Sequence, residues 1–288
     1  MAEKALEQRH LAYIRRGRYL LLDPAWQDRL TLKWAETLQE RKEAFSLVHD
    51  EYLRQGYIPR PTSSGMIYRL HHLLPTSLTL LLQDGATTVG TLTIVLDTDL
   101  YGLPMDKVYG EELKTLRRQG RRLAELSALA VRRSYCLQSL FMLLVRAAYG
   151  YALKKRVTDF CIMVNPRHAD FYRSIFLFED LGPVRPYPFV NAPAVALRAD
   201  LVTFPERIQK LLQNLALKRS VYHFLTETWE AATGWTHVRR HLDPPPRPLS
   251  GNQILQCLAH EPSALEGLNA TQRKNVAYLC SCNSLRLH

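Results

Sequence analysis

At 288 residues and 47% hydrophobic content, the chain can bury a full core, which excludes a disordered chain and a small disulfide-stapled scaffold. A formal net charge of +11 favours acidic partners, but no helix-turn-helix, zinc-finger or RNA-binding signature uses it, so nucleic acid is not an expected partner. The five cysteines are odd in number and irregular in spacing, and the pair Cys280 and Cys282 has no second pair beside it, which argues against a disulfide framework or a zinc site.

Residues 1–28 are a polar leader with Tyr13, Tyr19 and Trp26 set into it. They contain no apolar signal region, and no run of the chain reaches the roughly 20 apolar residues of a membrane span. The expected location is the cytoplasm, with reduced thiols. Residues 29–34 alternate as a short strand. Residues 35–55 follow as a helix with Phe45, Val48 and Tyr52 on its apolar stripe, and Gly56 stops it. Residues 57–77 form a long loop, broken by Pro59, Pro61 and Gly65, of the kind that covers or lines a site. Residues 78–83 and 89–97 predict a hairpin turned at Asp84-Gly85. A helix is expected over 107–118.

The stretch 121–149 is the centre of the chain. Leu123–Val131 is almost wholly apolar, as suits a strand covered on both faces. Glu125 and Ser127 interrupt it two residues apart, so they share a face. An isolated buried carboxylate is costly, so Glu125 must be paired, hydrated or functional. From Leu137 the period becomes helical, with Leu140, Leu143, Leu144 and Ala147 in register. Arg132, Arg133, Ser134 and Tyr135 lie at the joint, where a helix opens with free N–H groups. A strand over 158–164 then ends at Asn165-Pro166, which starts a helix carrying His168, Phe171 and Tyr172. The strands of 123–131 and 158–164, joined by a long helix, are expected to be parallel neighbours and the rest of the sheet antiparallel. Strands at 178–182, 183–187 and 194–201 close it, with Asn191 in a connection. Beyond residue 203 the character is helical over 205–230, then a stiff DPPPRP linker over 243–248, then two short helices near 253–260 and 271–280. The expected organisation is a leader (1–28), a mixed α/β domain (29–203) and a helical extension (204–288).

GTLTIVLDTDLYGLPMD, EELKTLRRQGRRLAELSALAV, VNPRHADFY and NAPAVAL together resemble the long-chain N-acyl amino acid synthases, relatives of the acyl-homoserine lactone synthases and, more distantly, of the N-acetyltransferases. The resemblance covers about residues 41–201. It implies the GNAT-like acyltransferase fold, a mixed and mostly antiparallel sheet flanked by helices. It implies transfer of a fatty acyl group from an acyl-carrier protein thioester to the α-amine of an amino acid, with no bound cofactor. Coenzyme-A-using relatives carry a glycine-rich loop after the strand equivalent to 123–131. Here that place is RRSYCLQSL, without glycine, which weakens the backbone cradle for a pyrophosphate. Carrier protein is therefore the expected donor, with acyl-CoA as the alternative. The basic chain suits an acidic carrier.

Thioester aminolysis needs a proton acceptor for the amine, stabilisation of the oxyanion and a proton for the leaving thiolate. Glu125 is the candidate base, its bland reading a structural pair with an arginine. Ser127 orients water or substrate, or is a core hydroxyl. Tyr172 falls where N-acetyltransferases place the phenol that protonates the thiolate, or is a core aromatic beside Phe171. His168 and Asn165 belong to the matching NPRH motif, and each has a capping or surface alternative. Arg41 is the candidate partner of the amino acid's carboxylate, against a surface ion pair. Asp97 and Asp99 are candidates for the α-ammonium, with a turn-capping role as the alternative for Asp99, and Asn191 is a candidate for the substrate side, with a turn role as its alternative. Val131, Arg132, Arg133 and Ser134 form the candidate entrance for the phosphopantetheine arm. No metal cluster is expected. Leu92, Ile94, Leu126, Leu129, Phe141 and Leu144 are candidates for an acyl tunnel, and core packing explains each as well. Two rival readings stay open: a lactone synthase acting on S-adenosylmethionine, and a non-catalytic carrier- or lipid-binding module whose basic tail docks or touches a membrane surface.

Overall fold

The computed structural model describes residues 28–135, 137–215, 221–226 and 238–281, with residues 5, 8, 9, 12 and 26 before them. The expected leader therefore lies almost wholly outside the described residues, as do Cys136 and Cys282. β1 (Leu30–Trp34) buries Leu30, Leu32 and Trp34 in alternation. α1 (Leu38–Arg54) opens on a capping box between Thr37 and Glu40 and is followed by Gly56 at a positive φ of 73°. A single 3-10 turn, Leu70–Leu73, interrupts the long loop. β2 (Ser77–Asp84) and β3 (Thr87–Leu96) pair antiparallel across the turn at Gly85. α2 (Asp106–Arg118) buries Tyr109, Leu113 and Leu116.

β4 (Leu123–Val131), α3 (Leu137–Lys154) and β5 (Asp159–Val164) form the expected crossover, with the two strands parallel. α4 (Pro166–Phe176) starts on Asn165, whose side chain accepts the Arg167 N–H, with proline in its first turn. β6 (Glu179–Tyr187) and β7 (Ala192–Asp200) form the second hairpin. Two strands were expected over 178–187. There is one, irregular at Gly182, because the Tyr109 ring occupies the space above that residue; a Cβ there would sit 2.7 Å from the ring.

α5 (Phe204–Leu215), α6 (Val221–Thr226), β8 (Arg239–His241), α7 (Gly251–His260) and α8 (Ala270–Ser281) complete the described chain. The sheet has eight strands in the order β6-β7-β5-β4-β3-β2-β1-β8. The expectation that only β4 and β5 run parallel is corrected at the far edge, where β8 lies parallel to β1. The Trp34 indole N–H donates to the Leu242 carbonyl at 2.8 Å and fixes that return. Phe204, Ile208 and Leu211 fall on one stripe of α5 and join the main core. Ile254 and Cys257 of α7 join a second core with Phe45 and Tyr68, whose hydroxyl donates to the Cys257 carbonyl at 2.6 Å.

One feature of the sheet positions the site. β4 and β5 pair only from Leu123↔Asp159 to Glu125↔Cys161. At that closed end the fully buried Asp159 accepts from Arg121 at 2.6 Å and from Arg198 at 2.5 Å. Past Glu125 the strands part. β4 there carries an extra residue opposite β3, with Ala128 at a φ of 50°. Such a bulge bends its strand and increases the local twist.

Candidate active site

A cavity of about 870 Å³ fills the opening between β4 and β5, within the size range of small-molecule sites. It passes through the sheet. On the face covered by α1 it is lined by Glu51, Tyr52, Tyr57, Glu125 and Tyr187. On the face covered by α3 and α4 it is lined by Phe141, Val145, Tyr149 and Phe176. One end is therefore polar and the other apolar.

Glu125 is buried, and one carboxylate oxygen accepts the Met105 N–H at 2.8 Å. Burial pushes its carboxyl up to about 8; the Met105 bond opposes this and Asp106 adds to it. The chain thus holds a proton acceptor that titrates near neutrality. Ser127 lies on the same face and its hydroxyl is 3.0 Å from His72 Nε2. His72 is buried, and desolvation, followed by His71 and Arg69, drives it down to about 3, so it is neutral. Its Nδ1 accepts the Arg69 N–H at 3.1 Å. Nε2 must then carry the hydrogen and donate to Ser127, which leaves the serine proton free to point elsewhere.

Tyr172 stands on the opposite wall against Phe141, Phe171 and Phe178. Burial, then Tyr52 and Tyr57, raise its phenol above the usual tyrosine range. It remains a protonated donor at neutral pH. Tyr52 is pushed up to about 12, chiefly by burial, and Tyr187 is raised by burial and then by Glu125. Asn165 and His168 line the mouth. The His168 ring nitrogen is 3.4 Å from the Tyr57 hydroxyl, and burial followed by Arg167 lowers its titration point. Arg167 also lines the mouth and donates to Tyr57 Oη at 2.7 Å and Gln55 Oε1 at 2.8 Å. Among the described residues it has no carboxylate partner, whereas its neighbour Arg54 is taken by Glu51 at 2.6 Å.

Several expected site residues lie elsewhere. Arg41 is 1% exposed on the side of α1 near Cys257 and does not reach the cavity. Its Nε and Nη1 have no hydrogen-bond partner, and desolvation lowers its titration point. A guanidinium sealed on that face cannot meet a substrate carboxylate in the opening. Asp97 is held by Arg117 at 2.7 and 2.8 Å, and Arg117 also takes Asp106. The carboxylate is thus spent on tying the end of β3 to α2. Asp99 lies on an exposed turn outside the cavity. Asn191 is exposed and acts through its backbone, donating to the Tyr57 carbonyl at 2.6 Å. Val131 lines the cavity, but Arg132, Arg133 and Ser134 sit on the exposed turn beside it. The Arg132 guanidinium donates to the Thr88 carbonyl at 3.1 Å. Of the tunnel candidates, Leu92, Leu126, Leu129 and Phe141 line the cavity, while Ile94 and Leu144 are core.

Sequence reasoning missed Tyr52, Tyr57, His72, Arg167 and Tyr187. Tyr52 and Tyr57 stand close together at the end of α1, but His72 and Tyr187 come from other segments of the chain, so no one spacing relates the set. Arg167 had a signal, because it stands inside the NPRH motif beside His168. Among the described residues no three His, Cys, Asp or Glu side chains are grouped to hold a metal ion, and no helix is long and apolar enough to cross a membrane.

The family model of the N-acyl amino acid synthase FeeM matches residues 43–200, more than half of the chain. Among solved structures the chain is similar to FeeM, an N-acyl amino acid synthase from uncultured soil microbes. Identity is 30% with a TM-score of 0.54, over 62% of this chain and 94% of that one. The acyl-homoserine lactone synthase LasI is 19% identical at a TM-score of 0.44, over 60% and 89% of the two chains. An N-acetyltransferase from Staphylococcus aureus Mu50 is 11% identical at a TM-score of 0.42, over 60% and 98%. At those scores neither carries an argument. No curated protein matches the chain. The match over residues 43–200 shows the family, and the mixed sheet shared with the FeeM structure agrees with it: the chain belongs to the FeeM family of N-acyl amino acid synthases and is an acyltransferase.

Proposed function

We propose that the protein joins a long-chain fatty acyl group, delivered as the phosphopantetheine thioester of acyl-carrier protein, to the α-amine of an amino acid. The observation that carries this reading is the cavity through the sheet, polar at one end and apolar at the other, with a titratable carboxylate and a protonated phenol on facing walls. The amino acid occupies the polar end, with Arg167 in place of Arg41 as the group that meets its carboxylate. The acyl chain occupies the apolar end.

Glu125 takes a proton from the α-ammonium, directly or through water. The amine attacks the thioester carbonyl carbon, the C–N bond forms and the C–S bond breaks. Tyr172 protonates the departing sulfur and recovers a proton from the nitrogen. Of the two protons lost by the ammonium, one ends on the thiol and one passes from Glu125 to solvent. The edge of β4 beyond Glu125 has no ladder partner on β5, which leaves backbone amides available to the oxyanion. No acyl-enzyme is needed.

The net charge of +11 and the glycine-free RRSYCLQSL turn support a carrier-protein donor over coenzyme A. The test is to give the purified protein long-chain acyl-carrier protein or acyl-CoA with a mixture of the standard amino acids and to weigh the products. The reading expects one amino acid to gain one acyl group, faster with the carrier protein. Consumption of thioester without an acylated amino acid would sink it.

A further inference from the structure

We infer that the helices α5 and α6, appended after the part of the chain that matches the family, form the end wall of the acyl cavity and set the longest acyl chain the enzyme accepts. The inference rests on the acyl-transfer reading above. The family match stops at residue 200, yet the cavity continues past it and is lined by Leu201, Phe204 and Leu225.

The cavity runs along β5. Its polar mouth is at Asn165 and its apolar end at Phe160, five residues and therefore about 16 Å away along a strand. Around that end stand Val145, Phe160, Phe178, Leu201, Phe204 and Leu225, a lining that offers an alkyl chain contact and no charge. Phe204 and Leu225 are 4% and 7% exposed and belong to the main core. The Phe204 ring packs edge-on against Tyr149 at 6.0 Å, and the Arg146 guanidinium lies over the Phe224 ring at 4.9 Å. These contacts fix the wall to α3, the helix that roofs the cavity.

Each buried methylene favours binding about fourfold, so the cavity rewards chain length until the wall is met. A methylene pressed against a packed wall then costs about tenfold or more. Leu225 and Phe204 are the side chains whose size places that limit.

The test uses the full chain and a ladder of saturated acyl groups differing by two methylenes. kcat/KM is measured with the acyl groups as carrier-protein thioesters, and binding is measured with the free fatty acids displacing a fluorescent one. Leu225→Ala and Phe204→Ala are expected to move the length limit at least one step longer, with about a tenfold gain for the longer chain relative to the wild-type optimum. Leu225→Trp is expected to move it at least one step shorter; Leu225→Phe replaces it should the tryptophan not fold. Opposite shifts from one position cannot come from general loss of stability. Turnover with the wild-type limit retained in all variants overturns the wall and leaves the reaction standing. Shifted binding limits without any acylated amino acid keep the wall and overturn the reaction. No fatty-acid displacement together with no acylated amino acid overturns both.

Discussion

Glu125 carries the sharpest prediction. Its carboxyl is raised from an ordinary value of 4.5 to about 8 by burial, so the base form appears only as pH rises through that value. Activity should climb through about pH 8 and level above it. In Glu125→Gln activity should fall by about a hundredfold or more, and the residual rate should lose that limb. A limb that survives the substitution belongs to the substrate's amine. The same shift affects stability. The folded chain binds this proton more tightly than the unfolded chain, so the penalty is absent below about pH 4.5, grows between about 4.5 and 8, and is constant above. Denaturant midpoints of the wild type should therefore fall relative to those of Glu125→Gln across that window and run parallel to them at higher pH. Arg167 makes a different prediction. Arg167→Met should raise KM for the amino acid about ten- to a hundredfold, the worth of a hydrogen bond to a charged group, while KM for the thioester stays put. The reverse pattern would assign the guanidinium to the donor.

The elements show why some of this was legible and some was not. Leu123–Val131 and the Asn165-Pro166 helix start follow from local rules, and they stand where the sequence places them. Arg41 shows the limit. It shares a helical stripe with Ala44, Phe45 and Val48, so its burial was written in the period. The period does not say what the stripe faces, and α7, from the far end of the chain, fills that side with Cys257. Asp97 is similar: nothing local announces that Arg117, in the last turn of α2, will claim it. The ring of Tyr52, Tyr57 and Tyr187 is assembled only when α1, its loop and the β6–β7 hairpin meet. The closed end of the β4–β5 opening yields a stability prediction. Asp159 is fully buried between Arg121 and Arg198, and removing one member of a buried ion pair costs about 3–5 kcal/mol. Asp159→Asn should lower the unfolding free energy by about that amount in urea titration, with lost activity following lost fold.

As a whole the protein is a strongly basic body, and the proposed donor is an acidic one. Long-range attraction of this kind speeds encounter and is screened within about 10 Å at 0.1 M salt. KM for acyl-carrier protein should therefore rise steeply with ionic strength, while KM for a short acyl-pantetheine should barely move. Equal salt responses would remove the electrostatic case for a carrier protein. The general class and most of the sheet could be read from the sequence because motif and periodicity lie in one continuous stretch. The extent of the cavity could not, because its far end is built by α5 and α6, whose apolar residues look like ordinary core.

The short strand β8 has a consequence for how the molecule behaves among copies of itself. Without it, β1 would be the outer strand of the sheet, and Leu30–Trp34, with Leu30, Leu32 and Trp34 on one face, would offer a row of free amides and carbonyls to any neighbour. Such edges seed strand-to-strand association. β8 covers β1 with three residues, Arg239, Arg240 and His241, too few and too cationic to recruit another strand. Arg240→Pro, which breaks the three-residue β8 while leaving α7 and α8 in place, should make light scattering rise more steeply with concentration than in the wild type.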